Sequence, residues 1–409
     1  MSYVIPADRG EAEALDSHDL LGHARELFDL PDGKTYLVGH SLGPATHSAL
    51  DELERTASGH WRNELVKAWN SAGWFDLPRT VGASLARLIG ARQDEVIIAD
   101  SVSINLFKLA AAARSIARTP ALIVEEDEFP TDQYIIEALS KLSGRDFVRA
   151  KSGDGLAHLE RSGGVLVLSA VNYRSGEIRN MAGAEGVAHS SGGVIVWDLS
   201  HATGVTDVNL QEAGARLATG CTYKYLNGGP GAPSFLYVRA DTISRLESPL
   251  PGWMGHEKPF AFEPVYAPAS GIQRFASGTP PILSLAALSG ALEVFESIDM
   301  SLVHDKARAL GELVIARADA LGLEVASPRD GRRRGGHVSL RHPNGYEIVQ
   351  ALIHRGILAD FREPDTIRFG LSPLFLRFTD VWDALDALAD ILATRAWDDP
   401  AFRQRSKVT

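Results

Sequence analysis

Lys224 stands between two tyrosines in ATGCTYKYLNGGPGAPSFLYV, away from any run of charge and just before a glycine-rich turn. Among apolar and aromatic neighbours an ammonium group loses hydration, which lowers its pKa and frees the amine for Schiff-base chemistry. A surface lysine laying its stem along apolar neighbours would account equally well for this residue taken singly. Upstream, the apolar run GVIVWDLSHATG ends in Asp198 and then His201. A carboxylate at the end of a buried strand needs a cationic partner, and a protonated pyridine nitrogen would be one. Earlier still, Ser101-Val102-Ser103-Ile104-Asn105 offers hydroxyls and free backbone N–H groups at the start of a helical pattern. That arrangement suits a phosphate, although ordinary serine capping explains it when it is taken alone. Phe129-Pro130-Thr131-Asp132 adds an aromatic plane and a second cap-like pair, which singly read as a core aromatic and a helix cap. The order decides between these readings: phosphate cap, aromatic, acid and then lysine are the parts a pyridoxal phosphate site needs.

A competing nucleophile is present in TYLVGHSLGPATHSAL, where Gly39-His40-Ser41-Leu42-Gly43 fits G-x-S-x-G. In an α/β-hydrolase that elbow follows several strands of the sheet. Here only a short, mostly polar or helical stretch precedes it and the apolar strands come later, so the motif reads as a tight turn.

The elements that must carry these residues are short apolar runs alternating with helical patterns. The runs are VIIAD (96–100), ALIVEEDEF (121–129), DFVRA (146–150), GVLVLSAVNY (164–173), GVIVWDLS (193–200) and SFLYV (234–238). Strands apolar along their whole length are covered on both faces, which predicts an α/β fold with a mostly parallel central sheet. NLFKLAAAARSIAR and TDQYIIEALSKL space their apolar residues as crossover helices do. After residue 240 a Pro/Gly-rich segment, SPLPGWMGHEKPFAFEPVYAPASGIQRFASGTPPI, is too aromatic for a plain linker and is expected to line a site or a subunit interface. A long helical pattern from Leu283 to Leu321 follows, and then HVSLRH, YEIVQALIHRG, ILADFRE and TIRFGLS give a smaller α/β domain. The expected division is an N-terminal segment over 1–44 packing near the site and the small domain, a large cofactor-binding domain over 45–285 and a small C-terminal domain over 286–409.

With 409 residues, 45% hydrophobic and 23% charged, the composition is that of a globular protein. A formal net charge of −11 argues against nucleic acid and anionic membranes as partners. The single cysteine, Cys221, excludes an intramolecular disulfide and a cysteine-based metal cluster, and no metal site is expected. The start of the chain lacks a basic-then-apolar signal pattern and no apolar run reaches membrane-spanning length, so a cytoplasmic protein is expected.

Taken together, YLVGHSLG, NLFKL, EFPTDQY, NYRSGE, DLSHATG, CTYKYLNGGPGAP, GWMGH, RFASGTPPILSLAAL and IRFGLSPLF resemble the kynureninases, particularly the bacterial ones, in order from about residue 33 to 390. The resemblance implies the fold type I architecture of pyridoxal phosphate enzymes, a homodimer with shared sites, and cleavage of L-kynurenine to anthranilate and L-alanine in tryptophan breakdown. It makes Lys224 the Schiff-base lysine, Asp198 the partner of the pyridine nitrogen and Tyr223 the candidate for later proton transfers. Phe129 would stack on the ring with Asp132 and His201 nearby, and Val102, Ser103, Ser169 and Tyr223 would contact the cofactor or its phosphate. Trp253 and Thr279 would reach the phosphate from the other subunit. Arg368 would hold the substrate α-carboxylate, a task its planar fork suits. Ser41 and His40 would lie beside the substrate; at His40 the sequence departs from the family's usual asparagine, which leaves kynurenine, 3-hydroxykynurenine and a modified analogue all open. Two other readings stand beside this one: a related pyridoxal phosphate enzyme, such as a cysteine desulfurase or an aminotransferase, and a non-catalytic protein that has kept the fold.

Overall fold

Residues without a polar face are stable only between two layers, and the apolar runs accordingly form the middle of the molecule. The structure, a computed structural model, describes residues 3–405. After a two-residue strand β1 (Thr35–Tyr36), the central sheet is built from β2 (Val96–Ile98), β3 (Leu122–Glu125), β4 (Phe147–Ala150), β5 (Val165–Ser169), β6 (Val194–Asp198), β7 (Leu217–Gly220) and β8 (Phe235–Val238). Their spatial order is β2-β8-β7-β6-β5-β3-β4. Strands β7, β6, β5, β3 and β4 are mutually parallel, whereas β8 runs antiparallel to both β7 and β2. Apolar layers cover both faces of the sheet, and Trp197, Tyr237 and Phe235 are fully buried.

Two features differ from the pattern read in the sequence. Strand β7 has no counterpart among the apolar runs, because Leu-Ala-Thr-Gly lacks β-branched weight and gains its place from neighbours on both sides. The chain then turns through the lysine loop and comes straight back as β8. Without a crossover helix it can only return antiparallel.

The helix Val102–Ala113 begins after Asp100, whose backbone takes a left-handed φ of 50°. Lys108 of this helix is wholly buried, and its Nζ bonds Asp100 and the Phe275 carbonyl. That one lysine ties the helix start to the Pro/Gly-rich segment. The helical pattern expected from Leu283 to Leu321 is two helices, Ile282–Glu293 and Met300–Ala320, with Asp299 capping the second by accepting from Ser301 N.

The C-terminal part holds β9 (Glu324–Val325), β10 (His337–Arg341), β11 (Ile357–Leu358), β12 (Asp360–Arg362) and β13 (Thr366–Gly370). Four of these form an antiparallel sheet in the order β12-β13-β10-β9. The N-terminal segment is clamped onto this part, since β1 pairs in parallel with β11 and Asp16 accepts from Phe378 N at 2.6 Å and Thr379 N at 3.0 Å. Beneath it, Lys306 Nζ reaches Asp19 Oδ2 at 2.6 Å, with both side chains 2% exposed. Among the described residues no helix is long and apolar enough to cross a membrane, and no group of three or more His, Cys, Asp or Glu side chains is arranged to hold a metal.

Candidate active site

Register in the sheet brings the polar ends of its strands together. Ser169 pairs with Asp198, and Asp198 with Thr219, so the residues that follow β5, β6 and β7 emerge along one edge. Ligands of open α/β sheets sit at this carboxyl edge. Lys224 leaves it on a turn in which Lys224 O accepts from Asn227 N at 2.9 Å. The GHSLG turn packs directly on that loop, and Gly43 N donates to Tyr223 O at 2.7 Å. A Cβ on Gly43 would overlap Lys224 O and Asn227 Oδ1 and lie 2.8 Å from Asn227 Cα. The second glycine of G-x-S-x-G is therefore required by close packing against the lysine loop. Ser41 is half-buried, its N–H closes the turn onto Val38 O at 2.8 Å, and among the described residues its hydroxyl bonds no histidine.

Two buried carboxyl groups feel the charge of the lysine. Asp198 Oδ1 accepts from Ser200 N at 2.8 Å and from Ser200 Oγ at 2.5 Å. Burial pushes its pKa up, while Ser200 and Lys224 act in the opposite sense. Asp132, in the first turn of the helix Pro130–Ser143, is fully buried with neither carboxyl oxygen hydrogen-bonded among the described residues. Burial raises its pKa strongly, the charges of Asp198 and Glu128 add to that, and Lys224 opposes it. A cation or hydrogen-bond donor placed beside these two aspartates would relieve both costs. Phe129, immediately before the helix, stays 43% exposed and stands perpendicular to Tyr173, the ring centroids 5.3 Å apart, so much of its ring remains accessible to a planar ligand. Val102 and Ser103 occupy the first turn of the helix Val102–Ala113, which Ser101 caps. The unsatisfied acid, the accessible aromatic ring and the helix start all fit a planar, protonated heterocycle that carries a phosphate.

Other expected residues take places the sequence did not announce. The Ser169 N–H donates to both carboxylate oxygens of Glu128 at 3.1 Å and its hydroxyl also bonds Glu128, which Arg179 holds from the other side. Burial lifts Glu128 to about 7 against the pull of Arg179. Tyr223 is raised by burial and by neighbouring Cys221, so its phenol keeps its proton. His201 is buried and its pKa is lowered, first by burial and then by the charge of Lys224. Trp253 and Thr279 are exposed on the Pro/Gly-rich side of the chain, where Trp253 meets Phe260 edge-on. They take no part in the network around Lys224.

Arg368, 1% exposed, donates Nη1 to Tyr173 O at 2.5 Å and Nε to Asp360 Oδ2 at 3.1 Å, with Nη2 also bonding Asp360. Asp360 is its cross-strand neighbour, one strand away. Its carboxyl is held far below the usual range against the effect of burial, by His40 and Arg368. His40 is buried beside it, stacked on His337 with centroids 5.3 Å apart, and His201 lies 5.5 Å from His337. Sequence reasoning passed over Asp360, His337, Glu128 and Arg179. For Asp360 a signal did exist: an arginine in an apolar strand needs a buried counter-ion, and the preceding strand ILADFRE carries one.

Cys221 is buried, with Sγ 3.8 Å from Ser200 O, and burial pushes its thiol pKa up. An inert, enclosed thiol is the opposite of the mobile nucleophile a desulfurase needs.

Comparison with known proteins bears on the chain as a whole. A family profile described as the kynureninase C-terminal domain matches residues 303–388. The kynureninase of Pseudomonas fluorescens is 42% identical over 413 aligned residues, covering 98% of this chain and 99% of that protein. The kynureninases of Burkholderia mallei and Burkholderia pseudomallei are 43% identical with the same coverage. Among solved structures, a cysteine desulfurase from Thermococcus onnurineus superposes with a TM-score of 0.77 at 18% identity, covering 91% of this chain and 98% of that one. A C-DES mutant with glycine covalently linked to its PLP cofactor gives 0.76 at 17% identity, covering 94% and 100%. At that identity the likeness speaks for the fold, and the fold is that of the sequence-based expectation: α/β with a mostly parallel central sheet.

Proposed function

Since this chain belongs to the kynureninase family, with 42% identity along 98% of its length, we propose that it hydrolyses L-kynurenine between Cβ and Cγ, giving anthranilate and L-alanine with pyridoxal 5'-phosphate as cofactor. The observation that carries the reading is Lys224 set among buried acids at the carboxyl edge of the sheet, with neither Asp132 carboxyl oxygen hydrogen-bonded among the described residues. Pyridoxal phosphate, when bound, supplies an electron sink for a carbanion at the substrate Cα.

The chain's residues divide the remaining work. Lys224 would hold the cofactor through its amine and would act as the base toward the substrate α-proton. Asp198 keeps the ring nitrogen protonated, and its anchoring by Ser200 fixes the carboxylate in place. Phe129 would cover the ring with Asp132 and His201 nearby, and Val102, Ser103 and Ser169 would hold the cofactor and its phosphate. Tyr223 keeps its proton and would serve proton transfer in the steps that follow removal of the α-proton. Arg368 binds the α-carboxylate, while Ser41 lies beside the substrate without attacking it.

The assembly is a homodimer in this reading. Trp253 and Thr279 complete the phosphate site of the partner subunit, which accounts for the exposure of Trp253, Phe260, Phe262 and Tyr266 on one segment of a single chain. The division into an N-terminal segment (1–44), a cofactor domain (45–285) and a C-terminal domain (286–409), the cytoplasmic location and a place in tryptophan breakdown belong to the same proposal. A cysteine desulfurase is disfavoured by the enclosed Cys221.

The test is the appearance of anthranilate fluorescence when L-kynurenine is added to the cofactor-loaded protein. Turnover by the native chain with none by Lys224→Ala is the expected result. A cofactor-bound native protein that releases neither anthranilate from kynurenine nor 3-hydroxyanthranilate from 3-hydroxykynurenine overturns the proposal.

A further inference from the structure

His40 lies at the same end of the site as Arg368, and behind it. Its imidazole is wholly buried. One face stacks on His337, with an interplanar angle of 21°. The other side is closed by the backbone of Gly370, where a Cβ would overlap Nδ1 and stand 2.8 Å from Cγ. Nε2 lies 3.3 Å from Asp360 Oδ2, within electrostatic reach but poorly aligned for a hydrogen bond. The same Oδ2 receives the Nε and Nη2 donors of Arg368, while Nη1 is held by Tyr173 O. A guanidinium has five donors, so these contacts leave one N–H on each terminal nitrogen for a ligand. Arg362 meets the other oxygen, Oδ1, at 3.2 Å from the exposed side. The orientation of the guanidinium is thus set by Asp360, and the His40 ring packs against the same Asp360 Oδ2 at 3.3 Å. Burial and the positive charge of Arg368 lower His40 to about 4, so at neutral pH the ring is an uncharged packing and dipole partner.

We propose that His40 is a positioning residue for the α-carboxylate anchor: it acts through Asp360 on Arg368, and it serves kynurenine and 3-hydroxykynurenine alike. The inference rests on the assignment of Arg368 above and deepens it. The two substrates differ only on the aromatic ring, at the end of the molecule remote from the α-carboxylate. A residue whose influence passes through the carboxylate anchor cannot distinguish them, so His40 affects how firmly the anchor is held and leaves the choice of ring to other residues.

The experiment compares the holoenzyme with His40→Ala and His40→Asn, which keeps an N–H donor. Both KM values and kcat are measured, and L-alanine, which carries the α-carboxylate without the ring, is titrated through the absorption of the bound cofactor. In His40→Ala, KM for both substrates and the alanine dissociation constant rise together by about ten-fold, as loss of one supporting polar contact implies, with kcat within about three-fold. His40→Asn recovers most of that loss. A change of more than about three-fold in the ratio of kcat/KM for the two substrates, or a fall in kcat at constant KM and constant alanine affinity, overturns the proposal. Thermal unfolding of each variant identifies one that fails to fold, in which case His40→Asn alone decides by the same criteria. Failure of the functional reading is distinguishable, because a native protein that cleaves neither kynurenine still reports the anchor through alanine binding.

Discussion

Gly43 and Ser41 sit two residues apart in one motif, and the structure gives them opposite importance. A methyl group added in Gly43→Ala must move Asn227 Cα from 2.8 Å to the ordinary 3.4 Å and the Lys224 carbonyl further still. Two costs follow. The bond from Gly43 N to Tyr223 O, 2.7 Å long, is stretched or lost, at about 1 kcal/mol. Forcing a group into a packed contact adds about 1–3 kcal/mol. The variant is therefore less stable than the native chain by about 2–4 kcal/mol. The functional effect is larger than that figure suggests, because the displaced backbone carries the reacting amine. Misplacing a catalytic group by about 1 Å costs on the order of 10²-fold, so kcat/KM for L-kynurenine falls by about that factor. The anthranilate assay measures it, with the absorption of the bound cofactor as a second readout of the lysine environment. Ser41→Ala, which removes a hydroxyl beside the substrate, stays within about ten-fold of the native rate, since it deletes one polar contact. The packing argument is refuted if Gly43→Ala keeps activity within about three-fold and an unchanged cofactor spectrum. If instead Ser41→Ala loses activity by many orders of magnitude, Ser41 is a nucleophile after all.

Two further predictions concern stability. Glu185 is buried and accepts from Trp197 Nε1 at 2.8 Å, and burial lifts it from 4.5 to about 7. A carboxyl group raised on folding contributes stability that is fully present below its unfolded pKa and is lost as pH rises through the folded one. Stability should therefore fall between about pH 4.5 and 7, by on the order of 3 kcal/mol from this group; Glu185→Gln should flatten the profile, and an equal slope in both proteins, measured by denaturant unfolding from pH 4 to 8, would argue against it. Lys306→Met leaves Asp19 buried without its ammonium partner, a loss of about 3–5 kcal/mol, and adding Asp19→Leu should recover most of it. Thermal unfolding of the single and double variants checks this: a single variant as stable as the native chain would falsify the assignment of the pair.

Much of this protein was determined by its sequence alone. Apolar runs need two covering layers, so the α/β class, six of the seven central strands and two of the crossover helices were readable from patterning. Lys224, Asp198 and the Ser101 cap were readable as chemistry, because each is a polar group that closes or follows an apolar element and must have a reason to be there. The seventh strand was hidden, since Leu217–Gly220 has weak intrinsic preference and is a strand only because β6 and β8 flank it. Likewise, the division of the Leu283–Leu321 pattern lies in Asp299, a cap that looks like one more polar residue on a helix.

What only the tertiary structure decided is who partners whom. Asp360 and Arg368 are eight positions apart in the chain and adjacent across two strands, while the nearness of His40 depends on a parallel bridge between Val38 and Gly370 from opposite ends of the sequence. The packing of the G-x-S-x-G turn was decided in the same way. The motif prescribes a tight turn, but whether its serine attacks or its glycine packs depends on what lies within 3 Å of it, and that neighbour, the Lys224 loop, is supplied by residues far along the chain. Local sequence fixes the conformation each segment prefers, whereas the charge, burial and reach of a side chain are set by groups that only folding brings near.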